Sequence, residues 1–580
     1  MNRQTLQTSL IFTLLILLLA ACGRSKVNEP IASAPKSGSG PAGEIAPARP
    51  SDTESPVEPA ATYVPSAPVV ESKTEDTADY VTEAESPAEI SSEESAAQAP
   101  LSVAPAPLAT APPPAAGIIA PEPIYPTPAP QRPSNTFFED YGVNPFILTQ
   151  VDPLSTFSLD VDTGSYSVAR NYLRQGLQPP PEAIRPEEFV NAFDQGYDIP
   201  PDTAFAVYAD GAPSPFHNDG TYFLRIGVQG YEMDERERPP ANLTFVIDVS
   251  GSMAQENRLG LVKQSLQMLV DRMRADDSIA IVVYGSSARV VLPPTSGANR
   301  NVILNAIYSL QPEGSTNLEA GLLLGYQQAN IAYKPGGINR VILASDGVAN
   351  VGLTDPDGIA SQIRGYADAG IQLTTLGFGL GNYNDVMMEQ LADQGDGQYA
   401  YIDTVQEARE LFVDNLMSTL QTIALDAKIQ VEFDPNVVQQ YRLIGYENRA
   451  IADQDFRNNE VDAAEFGAGH TATAIYAIQF VPGAQGRIAT VRLRWQDPDS
   501  RAVQEIEGVF TTDDLARSFD EAPLRYQLAV VVSQYAELLR NSYWTTGVSM
   551  NDVQIYLNRL AAQLGDPEVQ ELANLAMLSR

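Results

Sequence analysis

The stretch that decides the fold is Ala241-Asn242-Leu243-Thr244-Phe245-Val246-Ile247-Asp248-Val249-Ser250-Gly251-Ser252. Its first part is largely apolar or β-branched, as in a buried strand, and this run ends on Asp248. Between Arg258 and Met273 apolar residues then recur at helical spacing. The polar motif therefore sits on the loop leaving the carboxyl end of a strand, which is where ligands bind in open α/β sheets.

Strand and helix patterns alternate after this motif. The sequence predicts strands at Ser278–Tyr284, Arg340–Ala344 and Ile371–Phe378, and helices at Asn299–Leu310, Asn317–Ala332, Asp355–Ala369 and Asp385–Gln394. This alternation predicts a doubly wound, mostly parallel sheet covered by helices on both faces. Two further polar loops follow the same logic: one around Gly314-Ser315-Thr316 opens a helix, and one at Ser345-Asp346-Gly347 closes a strand.

Taken in order, these loops give the pattern D-x-S-x-S, then G-S-T, then S-D-G, with five oxygen-bearing residues at Asp248, Ser250, Ser252, Thr316 and Asp346. The pattern resembles the metal-ion-dependent adhesion site of the von Willebrand factor type A (VWA) fold. The resemblance implies a Rossmann-like VWA domain over residues 239–424. It also implies that the three hydroxyls bind the metal directly and that the two carboxylates hold it through water.

The metal implied by this resemblance is Mg²⁺, with Mn²⁺ or Ca²⁺ as alternatives. Mg²⁺ prefers six oxygen ligands and keeps several waters, which suits hydroxyls and water-bridged carboxylates. In the family, one coordination position accepts an acidic group from a partner protein, and the site usually performs no reaction. The alternative is a scaffold that retains the fold without metal. Gly251, Gly314 and Gly347 are expected to let the backbone turn tightly around the ion.

Composition excludes several other functions. The 580 residues include 73 acidic and 36 basic side chains, a net charge of −37, two histidines and one cysteine. Phosphate contacts need clustered Lys and Arg, so we expect no nucleic-acid partner. His217 and His470 cannot assemble a multi-histidine or Cys/His zinc site, and a Ser-His-Asp triad or Cys-His pair is short of parts. We therefore expect no enzyme, and His470 is interpreted as a structural residue of a loop.

The N-terminus has the layout of a secretory signal at residues 1–21, with Arg3 followed by an apolar run that is too short to favour a spanning helix. The run closes with Leu19-Ala20-Ala21-Cys22, which resembles the lipobox of bacterial lipoproteins. The resemblance implies lipidation of Cys22 and a lipid-anchored protein of the cell envelope. Because Gly23 follows the cysteine, it implies the outer membrane in a Gram-negative cell; otherwise we expect the outer face of the cell membrane.

Residues 22–135 are rich in Pro, Ala, Ser and Glu, and about half of the 44 prolines fall between Pro30 and Pro133. Such a segment buries too little apolar surface to offset the entropy of ordering. The sequence therefore predicts a disordered tether, with a reach of up to hundreds of ångströms at about 3.1 Å per residue if fully extended.

A second acidic motif runs from Asp160 through Asp162-Thr163-Gly164 to Ser165. Half of an aspartic-protease dyad is one interpretation, but no second copy of the triplet exists. Calcium binding is another, although the later ligands of an EF-hand loop are missing. The third interpretation is a strand leading into a helix capped by Thr163 or Ser165.

Several segments on both sides of the VWA region resemble one bacterial family, the YfbK-like VWA lipoproteins. They include Pro153–Tyr166, Arg185–Phe189, Tyr441–Arg449, Gly467–Thr471 and Val491–Trp495, and the likeness covers about Asn144 to Arg580. The family resemblance implies an N-terminal VWA-associated region at 136–238 and a C-terminal domain at 425–580.

The flanking sequences also carry their own structural signal. Alternating apolar and polar residues at Asp426–Asp434, Ala472–Phe480 and Arg487–Trp495 predict strands. We expect these to form a β-rich domain together with strands from the N-terminal segment. Helices are expected at about Leu524–Tyr543 and Val553–Leu578, with apolar stripes that face a core rather than a membrane.

The function expected from these patterns is a lipid-anchored envelope protein, surface- or periplasm-facing, that binds an unidentified partner protein through Mg²⁺. A structural or assembly lipoprotein that uses the VWA fold without metal is the alternative.

Overall fold

The computed structural model describes residues 138–159, 161–234, 236–347, 356–379 and 385–579. The predicted signal sequence, Cys22 and the predicted tether lie outside the described residues, as does Asp160. The predictions made for them remain predictions.

Six strands of the central segment form one sheet: β5 (Ala241–Asp248), β6 (Ser278–Tyr284), β7 (Ala288–Ser296), β8 (Ile338–Ser345), β9 (Gln372–Phe378) and β10 (Tyr399–Ile402). Their order is β10-β9-β8-β5-β6-β7, and every neighbouring pair is parallel except β6 and β7. The predicted mostly parallel sheet is confirmed. The sequence pattern predicts neither β10 nor β7, whose Pro293 and Pro294 weaken its strand pattern. Proline is tolerated in β7 because it is an edge strand.

Helices cover both faces of this sheet. One face packs α3 (Arg258–Arg272), α4 (Arg300–Ser309), α8 (Val405–Arg409) and α9 (Leu416–Leu420), and the other packs α5 (Leu318–Ile331), α6 (Pro356–Asp368) and α7 (Asp385–Asp393). Helix α1 (Gly164–Arg174), from the N-terminal segment, joins the second face through Val168 and Tyr172. Adjacent residues of β5 point into opposite cores, with Phe245 in one and Val246 in the other, as the period of two requires.

Two further sheets draw strands from both ends of the chain. The N-terminal segment supplies β1 (Ile147–Leu148), β2 (Leu154–Ser158), β3 (Phe205–Pro213) and β4 (Thr221–Gly230), and the C-terminal segment supplies β11 (Thr422–Phe433), β12 (Val438–Ile444), β13 (Ala464–Gly467), β14 (Thr471–Phe480), β15 (Arg487–Gln496) and β16 (Val503–Thr511).

One sheet has the order β1-β12-β14-β4-β3, and the other has the order β13-β11-β15-β16 with β2 also pairing β11. Phe205 and Leu224 of the first sheet share a core with Ile429 and Val491 of the second. The predicted β-rich domain built from both terminal segments is therefore confirmed. We call the two sheets together the scaffold.

Helices α10 (Leu524–Leu539), α11 (Met550–Leu564) and α12 (Pro567–Leu578) close the chain, and the short helix α2 (Pro186–Asn191) packs in the same core. The helical pattern predicted over Val553–Leu578 is confirmed, but it is divided into two helices. Gly565 adopts a left-handed conformation at φ +66, Asp566 caps the next helix, and Pro567 takes its first position. Among the described residues, no helix has the length and apolar character needed to cross a membrane.

Candidate metal site

The loops carrying the predicted site residues meet at the carboxyl edge of the central sheet. Strands β5 and β8 pair in parallel through Ile247 and Ala344, so the loops that follow them emerge side by side. The loop before α5 is tied to the first of these by a hydrogen bond of 3.2 Å, which the Gly251 N–H donates to the Gly314 carbonyl. This is the strand-end position that the sequence predicted for a ligand site.

Asp248 is fully buried, and both of its carboxylate oxygens accept hydrogen bonds. The Ser250 backbone N–H donates to Oδ1 at 2.7 Å, and the Ser345 hydroxyl donates to Oδ2 at 3.0 Å. Burial raises the pKa of Asp248 to about 6; the nearby charge of Asp346 adds to the rise, and the hydrogen bonds from Ser250 and Ser345 oppose it. Keeping the Asp248 carboxylate ionised in this buried place therefore costs free energy, and a bound cation would reduce that cost.

The hydroxyl groups lie on the same edge. Ser250 Oγ and Ser252 Oγ are 3.0 Å apart, and Ser250 and Thr316 are buried. The loop carrying Thr316 is fixed where the Asn317 N–H donates to the Gly285 carbonyl at 2.9 Å. These neutral oxygens are ligands of the kind that Mg²⁺ accepts alongside water.

Asp346 is the second buried carboxylate of the site. The Arg258 Nη1 donates to its Oδ2 at 2.7 Å, and both side chains are almost completely buried. The other oxygen, Oδ1, is buried and accepts no hydrogen bond from any described residue. A buried carboxylate oxygen normally has a partner, so Oδ1 is suited to a metal-bound water.

Two of the three glycines behave as expected. Gly314 and Gly347 adopt left-handed conformations at φ +72 and +76, while Gly251 keeps a negative φ. A Cβ on Gly314 would lie 2.3 Å from Ser286 Oγ. The tight turn before Thr316 therefore requires glycine.

The residues present fit an oxygen-bound divalent cation. No three His, Cys, Asp or Glu side chains in the described part of the chain are grouped to hold a metal, and the oxygens found at this edge are hydroxyls beside two carboxylates. Oδ1 of Asp346, which has no partner among the described residues, and the paired hydroxyls of Ser250 and Ser252 suit such a cation.

All five predicted residues lie at this edge, with Asp248 as the last residue of β5, but the sequence does not predict two further residues of the site. Ser345 orients Asp248, and Arg258 pairs with Asp346. Ser345 stands inside the S-D-G pattern and could have been included on that ground. Arg258 had a weaker signal: it is a cation directly before the buried residue Leu259 of an amphipathic helix, and a buried arginine needs a carboxylate.

The second acidic motif has a structural role where it is described. Asp162 pairs with Arg449 at 3.2 Å. Helix α1 has Thr163 at its N-cap without a side-chain cap, and the Ser165 N–H donates instead to Glu188 Oε2 at 2.6 Å. The predicted cap by Thr163 or Ser165 is therefore wrong, because a buried carboxylate from α2 takes that place. A negative charge is favourable there, since the N-terminus of a helix carries partial positive charge.

Comparisons with known proteins show which families the segments of this chain belong to or resemble. The family model described as "von Willebrand factor type A domain" matches residues 242–415, and a second, "von Willebrand factor", matches residues 132–224. The central segment is thus a VWA domain, a class that often mediates contacts between proteins.

A third family model, "Uncharacterized protein YfbK, C-terminal", matches residues 418–577. The chain is 37% identical over 464 residues to the "Uncharacterized protein YfbK" of Escherichia coli (strain K12), which covers 75% of this chain and 79% of that protein. The chain therefore belongs to the YfbK family, as the sequence resemblance predicted. Lipidation at Cys22 stays a prediction.

Two more distant similarities complete the comparison. "Uncharacterized protein sll0103" of Synechocystis sp. (strain ATCC 27184 / PCC 6803 / Kazusa) is 29% identical over 290 residues, covering 48% of this chain and 66% of that protein. The solved structure "von Willebrand factor type A from Catenulispora acidiphila" has a TM-score of 0.38 and 15% identity, covering 67% of this chain and 91% of that one.

Proposed function

We propose that this chain is a lipid-anchored protein of the cell envelope that captures an acidic side chain of a partner protein through Mg²⁺ in its VWA domain. The observation that carries the proposal is the buried Oδ1 of Asp346, which has no hydrogen-bond partner among the described residues. Ser250, Ser252 and Thr316 would hold the ion directly, and Asp248 and Asp346 would hold it through water. The ion supplies an electrophilic position for a carboxylate.

The chain's own residues preorganise this site. Ser345 and the Ser250 N–H hold both oxygens of Asp248, so its carboxylate has one orientation. The backbone bond from Gly251 to Gly314 keeps the serine loop against the loop of Thr316. A site whose ligands are already in place loses less entropy on binding.

The position of the anchor supports a role in capture at a distance. Cys22 would carry the lipid, and the proline-rich residues 22–135 would separate it from the folded part. The proposal includes no catalysis, because the chain has only two histidines and its single cysteine lies in the leader.

A second candidate is a metal-independent envelope scaffold, and one observation favours it. The buried pair between Arg258 and Asp346 neutralises one site carboxylate without metal. The site can therefore stay folded when no ion is bound.

A pull-down from envelope extract separates these candidates. The wild-type protein is compared in Mg²⁺ and in EDTA, and the Asp248→Ala variant is compared in Mg²⁺. The matched control is Asp276→Ala, which removes a carboxylate that is more than half exposed in the same domain. Capture that needs both Mg²⁺ and Asp248 supports the adhesion site, whereas the same partners in every condition support the scaffold.

A further inference from the structure

Arg258 is not a predicted metal ligand, but it forms an ion pair with Asp346, which is one of the five residues of the candidate metal site. We propose that Arg258 sets the charge of this site, so that it lowers the affinity for the divalent cation and raises the affinity of the metal-loaded site for a carboxylate. This inference rests on the proposed function and assigns a specificity-determining role to a residue outside the ligand set.

The side chain of Arg258 is held firmly. Arg258 is the first residue of α3 and is 3% exposed. Its Nη1 donates to Asp346 Oδ2 at 2.7 Å. Its stem passes the end of β9 so closely that a Cβ on Gly379 would lie 2.2 Å from Arg258 Nε. Glycine at 379 thus makes room for an arginine aimed at the site.

The pair leaves the second oxygen of Asp346 available. Arg258 engages Oδ2, while Oδ1 has no partner among the described residues. A cation can therefore be held through Oδ1 while Arg258 stays in place. The arginine acts on the ion through its charge and does not occupy the ion's position.

The balance of charge follows from these groups. Counted over Asp248, Asp346 and Arg258 alone, Arg258 offsets one of the two carboxylate charges, and a divalent ion then leaves these three groups and the ion with one net positive charge. An acidic side chain from a partner then makes the assembly neutral. Without Arg258 the loaded site would already be neutral, and the acidic ligand would leave an uncompensated negative charge in a buried place.

The two effects of Arg258 have opposite signs and can be measured separately. Mn²⁺ binding to the full folded chain is followed by electron paramagnetic resonance, and acetate binding to the Mn²⁺-loaded protein by relaxation of the acetate methyl protons. We expect Arg258→Gln to bind Mn²⁺ about tenfold more tightly and acetate about tenfold more weakly than wild type. The control is Arg236→Gln, which removes the same charge from a side chain that is 92% exposed and should change neither value.

Three results would overturn the inference. They are Mn²⁺ affinity that is unchanged or weaker in Arg258→Gln, acetate affinity that is unchanged or stronger, and a variant that stays unfolded at saturating Mn²⁺. The last would show that the pair is needed for folding whatever the metal content. A variant that is unfolded in EDTA and folded in Mn²⁺ would support the inference. In such a variant the buried negative charge of Asp346 would be balanced by the ion in place of Arg258. Absence of Mn²⁺ binding in wild type would instead refute the proposed function.

Discussion

Arg449 and Glu389 form a buried ion pair of 2.7 Å that joins the scaffold to helix α7 of the VWA domain. Arg449 follows β12, and its guanidinium also lies within 3.2 Å of Asp162 and Asp393. Glu389 also pairs with a second arginine: Arg185 Nη2 lies 3.0 Å from Glu389 Oε2. Residues from three separate parts of the chain therefore meet at one seam.

The first prediction concerns this seam. Arg449→Ala should lower the free energy of unfolding by about 3 kcal/mol, because it leaves the buried Asp162 and Glu389 without one of their cations. Urea denaturation measures the loss. Arg457→Ala is the matched control, since its pair with Glu505 is exposed and should contribute less than about 1 kcal/mol. Equal losses in the two variants would contradict a stabilising role for the seam.

The second prediction concerns Gly314. Gly314→Ala should cost more stability than Gly336→Ala, although both glycines have similar left-handed conformations at φ +72 and +67. A Cβ would meet Ser286 at position 314 and nothing within 4 Å at position 336. We expect about 1 kcal/mol for Gly336→Ala and about 2–3 kcal/mol for Gly314→Ala. Thermal denaturation of both variants gives the comparison, and similar values would remove the steric argument.

The third prediction concerns metal addition. At a concentration about a hundredfold above its dissociation constant, Mg²⁺ should stabilise the wild-type chain by about 3 kcal/mol. Asp248→Ala should lose most of this gain and Asp276→Ala should retain it, as calorimetry in Mg²⁺ and in EDTA would measure. An equal gain in all three proteins would place Mg²⁺ binding elsewhere.

The fourth prediction concerns His470, in the loop before β14. Burial lowers its pKa to about 4, and the charge of Arg340 acts in the same direction. Between pH 6.5 and 4 the unfolded chain therefore binds a proton that the native chain does not, so His470 destabilises the fold as pH falls through this range.

The free energy of unfolding should fall by no more than about 3 kcal/mol over this range. We expect a smaller value, because the side chain is only part-buried and solvent screens its charge. Imidazole proton NMR measures the pKa directly. With two histidines in the chain, His217→Gln assigns the signals and serves as the control. A His470 pKa near 6.5 would contradict the prediction.

Much of the VWA domain could be predicted because its signals are local. The apolar run before Asp248 predicts both strand β5 and the loop at its end, and the S-D-G pattern places Asp346 beside it. Strand β7 was missed because an edge strand with two prolines has no clear apolar period. The break before Pro567 has a local signal, because glycine commonly ends a helix and aspartate commonly caps the next one.

Arg258 and the seam could not be predicted in the same way. Their partners lie far apart in the chain: Arg258 and Asp346 are separated by 88 positions, and Arg449 and Asp162 by 287. Nothing local indicates which carboxylate a buried arginine will meet. The partner of each buried arginine is set by the order of strands and helices in the fold. That order depends on two sheets whose strands come from both the N-terminal and the C-terminal segments.

That shared construction has a consequence for synthesis of the chain. Strand β4 pairs with β14, and Leu224 lies opposite Tyr476. Because the VWA domain lies between these two strands in the sequence, the ribosome makes it before β14 is available to pair. Contacts between residues so distant in sequence form slowly. Until β14 pairs with β4, the backbone N–H and C=O groups along that edge of β4 have no strand partner. A nascent chain released before residue 471 would carry this open edge and would be prone to pair with another copy. Completion of this sheet therefore depends on the synthesis of residues 471–480, which form β14.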